Sequence, residues 1–361
     1  MGIMQSLFGG SSKALVGLDI SSSSVKLLEL SLRGERYHVE AYATEPLPDN
    51  AVADKQIANV EAVGEAIAAA HARSGTKTLQ AAVAVSGSSA ITKVIQMPAD
   101  LSDSDMEEQI KVEADQYIPY AIEEVNLDFE VIGPSPTDDG MVELLLAACR
   151  RDQIENLAAA IELGGLTPTV VDIETHAMEN ACELLRHQMP DRGTDKTIAV
   201  IDMGANMTSV MVLHDLRTVY TREQGFGGKQ LTEEIMRNFG MSFDEAAKAK
   251  RYGNLPDTYE SEILPGFIED MAQQIDRSLQ FFFSASSQYA SIDQIILAGG
   301  CAHIPNVSAT LQEKLQIATD VARPFAEMSV ASRAKPKQIA QEEASLLAAC
   351  GLALRAFDRE R

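Results

Sequence analysis

Two aspartates occupy matching places in this sequence. In 15–21 (Leu-Val-Gly-Leu-Asp-Ile-Ser) and in 198–204 (Ile-Ala-Val-Ile-Asp-Met-Gly) an apolar run ends at an acid and passes into small residues. Asp19 leads into Ser21, Ser22, Ser23 and Ser24, and Asp202 leads into Gly204, Ala205, Asn206 and Thr208. A second apolar run follows each turn, at 25–30 and 209–213. A tight turn of small residues offers backbone N–H groups to phosphate oxygens without a side chain in the way, and hydroxyls add donors. Two carboxylates that face one another repel, and the usual relief is a raised pKa or a hard cation such as Mg2+ held largely through its waters. The pattern therefore predicts that Asp19 and Asp202 orient Mg2+ near the β- and γ-phosphates of a nucleotide. Either acid alone reads as a polar strand terminus; the repetition is what points to a site.

A third piece is 294–300, where an apolar strand delivers Gly299 and Gly300 to a helix start near Pro305. A glycine turn of this kind lets a flat base lie against the main chain, and it serves equally well as a packing turn. Glu174 follows the apolar run 170–173 at the start of a helical stretch. It has the place of a residue that orients an attacking water, and also that of an ordinary acid at a helix N-terminus. His176, His187 and His303 lack partners at ligand spacing, and no Gly-x-Ser-x-Gly elbow or Walker-type lysine loop occurs.

The elements that must position these residues alternate between strand and helix. Strands are predicted at 15–19, 25–30, 37–43 and 81–85 and a helix at 60–72, followed by a compact β-α-β-β-α stretch over 91–163 that reads as an insertion. A strand at 170–173 and a helix at 174–187 follow, and the polar 190–195 is the candidate linker. The second half opens as the first did, continues through helices at 229–239, 243–251 and 259–286 and a strand at 294–298, and closes on a helix at 342–357. Phe281 to Phe283 are expected to be core residues on the long helix.

Bulk properties set the frame. The 361 residues, 45% hydrophobic and 23% charged, suffice for two moderate cores. The net charge of -23, from 53 acids against 30 bases, repels nucleic acid and anionic lipid, whereas backbone N–H groups and a divalent cation still permit a nucleotide. Cys149, Cys182, Cys301 and Cys350 are far apart and are expected to be reduced core residues. With no run of about eighteen apolar residues, the chain is expected to be cytosolic and to reach a membrane through a partner.

In order and spacing the three pieces resemble the actin-like ATPase superfamily. Gly17-Leu-Asp-Ile-Ser-Ser-Ser-Ser-Val-Lys-Leu-Leu-Glu-Leu30, Glu113-Ala-Asp-Gln-Tyr-Ile-Pro-Tyr120, Gln280-Phe-Phe-Phe-Ser284 and Ala298-Gly-Gly300 resemble, more narrowly, the PilM family of type IV pilus assembly proteins. The resemblance implies an α/β actin-like fold of two related halves around a nucleotide cleft, with an FtsA-like insertion. Subdomain 1A is then 13–90, 166–192 and 340–361, subdomain 1C is 91–165, subdomain 2A is 195–222 and 290–339, and subdomain 2B is 223–289. It implies ATP and Mg2+ as ligands. Ser21 to Ser24, Lys26, Gly204, Ala205, Asn206, Thr208, Gly228, Lys250, Gly299, Gly300 and Ile304 would form the nucleotide site, with Asp19 and Asp202 on the metal. As partners it implies the N-terminal cytoplasmic tail of PilN, gripped between 1A and 1C at the inner face of the inner membrane, and the pilus motor ATPases. Self-association and ATP turnover stay open. Two departures bear on chemistry: Ser21 stands where the superfamily usually has glycine, and Ala247 stands where an acid often precedes the lysine at Lys250. The other readings are a small-molecule kinase of the same fold and an actin-like filament former.

Overall fold

The computed structural model describes residues 14–113 and 116–358. The chain opens with an antiparallel meander, β1 (Val16–Ile20), β2 (Ser24–Arg33) and β3 (Arg36–Pro46). A small hairpin, β4 (Val52–Ala53) and β5 (Gln56–Ile57), precedes α1 (Val60–Ser74) and β6 (Gln80–Val85). Next come β7 (Ala90–Pro98), α2 (Asp103–Glu113), β8 (Val125–Pro134) and β9 (Met141–Arg150). The first half closes with α3 (Arg151–Leu163), β10 (Thr167–Ile173) and α4 (Glu174–Cys182).

The second half repeats the opening with β11 (Thr197–Met203), β12 (Thr208–His214) and β13 (Arg217–Gln224). It continues through α5 (Gly228–Phe239), α6 (Phe243–Tyr252), α7 (Leu264–Ala285), β14 (Gln294–Ala298), α8 (Val307–Leu315) and β15 (Thr319–Val321). The tail adds β16 (Ser329–Val330), α9 (Pro336–Glu342) and α10 (Leu347–Leu354).

The sheets run in the order β10-β6-β1-β2-β3-β16 and β13-β12-β11-β14-β15. In each, a three-strand meander meets two strands parallel to its first. The central strands β1 and β11 have neighbours on both sides and both faces covered, so they are apolar nearly throughout and turn polar only at their ends. One face of the first sheet packs on α1 and α3 through Val63, Ile67, Leu157 and Ile161. A larger continuous core joins the outer strands of the first sheet to the second sheet and its helices. The β7-β9-β8 sheet has its own core, in which Ile95, Met97 and Leu144 meet Met106 and Ile110 of α2.

Local chemistry sets the helix ends. The Asn59 side chain accepts from Ala62 N at 3.0 Å to start α1, and Gly75, at φ +67°, ends it. Ser102 accepts from Asp105 N at 3.3 Å at the start of α2. Ala114 and Asp115, within the Glu113 to Tyr120 string, lie outside the described residues.

The expected helices at 174–187 and 342–357 are each broken. The first passes into a 3-10 turn after Cys182, and the second starts at the last residue of α9 and consists of a 3-10 turn over 343–346, α10 and a further 3-10 turn over 355–357. The break follows from burial. Seven of the eight residues of α10 are buried, so it cannot lie on a surface. It fits a slot between β1 and α4, where a Cβ on Gly17 would overlap the Ala349 carbonyl and one on Gly351 would overlap the Ala177 carbonyl.

The aromatic run on α7 is corrected in part. Phe282 is buried and Phe283 partly so, whereas Phe281 is 46% exposed beneath the Arg222 guanidinium, 3.9 Å from its ring centre. Three consecutive residues cannot share one face of a helix. The hairpin β4–β5 and the strands β15 and β16 are too short to leave a period in the sequence.

Candidate functional site

The two hairpin tips are built alike. Ser21 N donates to Ser24 O at 3.0 Å, and Gly204 N to Met207 O at 2.9 Å, so each acid stands two residues before a closed turn. Register places Lys26 opposite Asp19 and Ser209 opposite Asp202. The Lys26 ammonium donates to Asp19 Oδ2 at 2.8 Å. Burial works against the charge on Lys26, but Asp19, Asp202 and Glu174 together outweigh it and hold its pKa above the ordinary value. Burial pushes the Asp202 carboxyl up; Lys26 and Lys55 oppose that shift, and Asp19 adds to it. Both acids thus act on one ammonium and on each other across the space between the halves.

Glu174 begins α4 at the end of β10. Its Oε2 accepts from the Lys55 ammonium at 2.8 Å, and Lys55 also donates to Glu223 Oε1 at 2.6 Å. Burial raises the Glu174 pKa against the pull of Lys55, with smaller upward contributions from Asp202 and Asp19. Lys55 and Glu223 are the residues that sequence reasoning missed. One lies in the turn of a two-residue-strand hairpin and the other near the end of a partly exposed strand, and neither stands in a motif.

The opposite end of the site is assembled by glycines. Gly228 N donates to Gly204 O at 3.0 Å and Lys229 N to Ala205 O at 2.8 Å, which fastens the second turn to the start of α5. A Cβ on Gly227 would overlap the Ala205 carbonyl, and one on Gly228 would come within 2.9 Å of Cys301 Sγ. Gly299, at φ +82°, presses against Asp202 and Met203 so closely that any side chain there would collide. Gly300 is exposed, and a Cβ added there would meet nothing within 4 Å, which leaves a flat open patch of main chain. Lys250 donates to Gly228 O and Thr232 Oγ1, both at 2.6 Å, and burial lowers its pKa.

Several anticipated residues serve the scaffold. Thr208 is 1% exposed and donates to Phe226 O at 2.8 Å, so its hydroxyl is withdrawn from any ligand. The Ser21 hydroxyl donates to Ser24 O at 2.9 Å within its own turn. The Ile304 amide is bonded to Cys301 O at 3.1 Å. Ser22, Ser23, Ala205 and Asn206 occupy the two tips, with Ser23 and Asn206 the exposed members. The four cysteines are free and buried.

Donor chemistry decides what these tips suit. Among the described residues no group of three or more His, Cys, Asp or Glu could hold a metal ion by itself. A pair of hard carboxylates suits Mg2+ whose other ligands are waters and phosphate oxygens, and does not suit an all-protein cage. Backbone turns, an adjacent helix start and the open glycine patch suit a nucleotide.

Beside this site the β4–β5 hairpin, the end of β6 and α3 form a small pocket lined by Lys55, Gln56, Ile57, Ser86, Gln153 and Asn156. Among the described residues no helix is long and apolar enough to cross a membrane.

Residues 17–357 match the family described as type IV pilus assembly protein PilM. Among solved structures, a PilM-PilN type IV pilus biogenesis complex is similar at 26% identity and TM-score 0.77, over 96% of this chain and 99% of that one. The ethanolamine utilization protein EutJ from Carboxydothermus hydrogenoformans is similar at 16% identity and TM-score 0.57, over 96% of this chain and 90% of that one, a likeness of fold alone. The architecture is the actin-like ATPase fold.

Proposed function

This chain belongs to the PilM family of type IV pilus assembly proteins, and from that premise we propose that it is an ATP-binding platform of the pilus assembly machinery. It would grip the N-terminal tail of a PilN-type inner-membrane protein and connect it to the pilus motor ATPases, working at the inner face of the inner membrane. The structural relative is a PilM-PilN type IV pilus biogenesis complex, which supports the partner half of the reading. The observation that carries the nucleotide half of the reading is the pair of mirrored tips, whose aspartates act on one ammonium.

In this reading Asp19 and Asp202 hold Mg2+ through its waters, and the metal supplies counter-charge for the phosphates. The backbone of the two turns receives the phosphate oxygens, and Lys26 adds a cation beside Asp19. The base lies over Gly300, next to Gly228 and Lys250. Glu174 has the topological place to orient a water, and in the protein without nucleotide its carboxylate is held by Lys55. The assignment is to binding, with turnover secondary.

Titration of a PilN tail peptide into the full chain, with and without Mg-ATP, tests the proposal. Binding is expected in both conditions and tighter with nucleotide. Equal affinity removes the coupling between sites, and no binding in either condition removes the platform role.

A further inference from the structure

Lys55 touches both halves of the molecule at once. Its ammonium joins Glu174, on α4 of the first half, at 2.8 Å and Glu223, on β13 of the second, at 2.6 Å. The lysine sits in an unfavourable place to do this. Asp54 and Lys55 form the turn of the β4–β5 hairpin with φ of 47° and 60°, the left-handed region for which glycine or asparagine is the usual choice. Turn chemistry thus gives no reason for a lysine there, and its side chain does.

Further along the same two elements lies a second tie. Glu179 of α4 accepts from Thr218 N at 2.8 Å and from Arg217 at 3.3 Å. A third tie is Glu342, which accepts from Tyr42 of the first sheet and, at 2.9 Å, from Arg251 of α6. Glu342 also accepts from Thr44, the β3 residue paired with Lys26, and the Glu179 tie lies further along α4 and β13 than the bridge made by Lys55. Its charge acts on Asp202, so it lies within electrostatic reach of the place where phosphates would sit.

We propose that Lys55 is a latch across the mouth of the cleft, tying Glu174 to Glu223 in the protein without nucleotide and passing to the terminal phosphate of a nucleoside triphosphate. A triphosphate offers the ammonium a stronger counter-charge than either carboxylate, whereas a diphosphate ends short of it. The two nucleotides would therefore leave the halves coupled differently, with the Glu179 tie as the fixed point. The transfer rests on the ATP reading above; the latch itself does not.

The test uses the full chain carrying spin labels at exposed Glu65 of α1 and Asn238 of α5, one in each half, with the four native cysteines buried. Distances between the labels are measured without nucleotide, and affinities are measured for ADP and for a non-hydrolysable ATP analogue with Mg2+. Lys55→Met is expected to broaden the distance distribution and to lower the triphosphate-to-diphosphate affinity ratio about fivefold or more, while Lys55→Arg restores both. Glu223→Gln, nearly isosteric, is expected to broaden the distribution as well, which keeps the test open should the methionine variant fold poorly. A wild-type distribution in both Lys55→Met and Glu223→Gln overturns the latch, and an unchanged affinity ratio in Lys55→Met overturns the transfer. A wild-type protein that binds neither nucleotide overturns the ATP reading together with the transfer, and the distances alone then judge the latch.

Discussion

The first and second hairpins are the same object with different chemistry. In both, an apolar central strand ends at an acid, turns through a closed tip and returns antiparallel, and a bulge interrupts the pairing of the next strand, between Glu29 and Leu30 in one and Val212 and Leu213 in the other. Two of the aligned differences change the chemistry most. Gly17 of β1 corresponds to Val200 of β11, and Lys26 of β2 to Ser209 of β12. The glycine lets α10 lie directly on the first sheet. The lysine gives the first acid its own cation, while Asp202 remains a buried acid that borrows one from the other half. The repeated pattern supplied the geometry, and single residues decided which half is fastened to the tail and which acid has a cation on its own hairpin.

Exchanging those residues tests the comparison. Gly17→Val makes the first strand like the second and should have the largest effect. Its Cβ would overlap the Ala349 carbonyl, and overpacking of a backbone contact costs roughly 3 kcal/mol or more, read as a lower urea midpoint or failure to fold.

Lys26→Ser gives the first hairpin the second hairpin's residue and leaves both aspartates without their shared ammonium. A loss of about 1–3 kcal/mol at pH 7 is expected, the scale of an unpartnered buried polar group. The deficit should shrink between pH 7 and pH 5, because protonation discharges Asp202 and Glu174, whose pKa values burial raises. Equal deficits at both values would mean that Lys26 acts by packing instead of charge.

The smallest expected effect on stability is of opposite sign. Burial raises the folded-state pKa of Asp202, so the folded protein holds that proton more tightly than the unfolded chain. The cost is absent below the unfolded value and grows as pH rises through the folded one. Asp202→Asn should therefore stabilise the nucleotide-free protein at pH 7 by roughly 0.5–2 kcal/mol, as neutralised functional sites commonly do. The gain should vanish in acid. The same variant should weaken Mg-dependent ATP affinity roughly 10- to 100-fold, the range for lost partners of a metal held through its waters. A destabilised Asn variant with unchanged nucleotide affinity would place Asp202 in the scaffold and not in the site.

The sequence by itself determined the duplicated design, because everything in a hairpin tip is local. An apolar run that must be buried on both faces, an acid at its end and small residues in the turn lie within about ten residues, and their order fixes their geometry. Asp19, Asp202 and the glycines at 299 and 300 were legible for that reason. Tertiary structure alone decided which side chains meet beside the tips. Lys55 meets partners 119 and 168 residues away, from a hairpin too short to show a period and in a turn that does not favour lysine. It decided equally that Thr208, well placed in the motif, is buried under Phe226, and that the final helix breaks to fit a slot opened by Gly17 and Gly351. Local backbone preference is written in neighbouring residues, whereas the burial and counter-charge that set a side chain's role come from whatever the fold brings beside it.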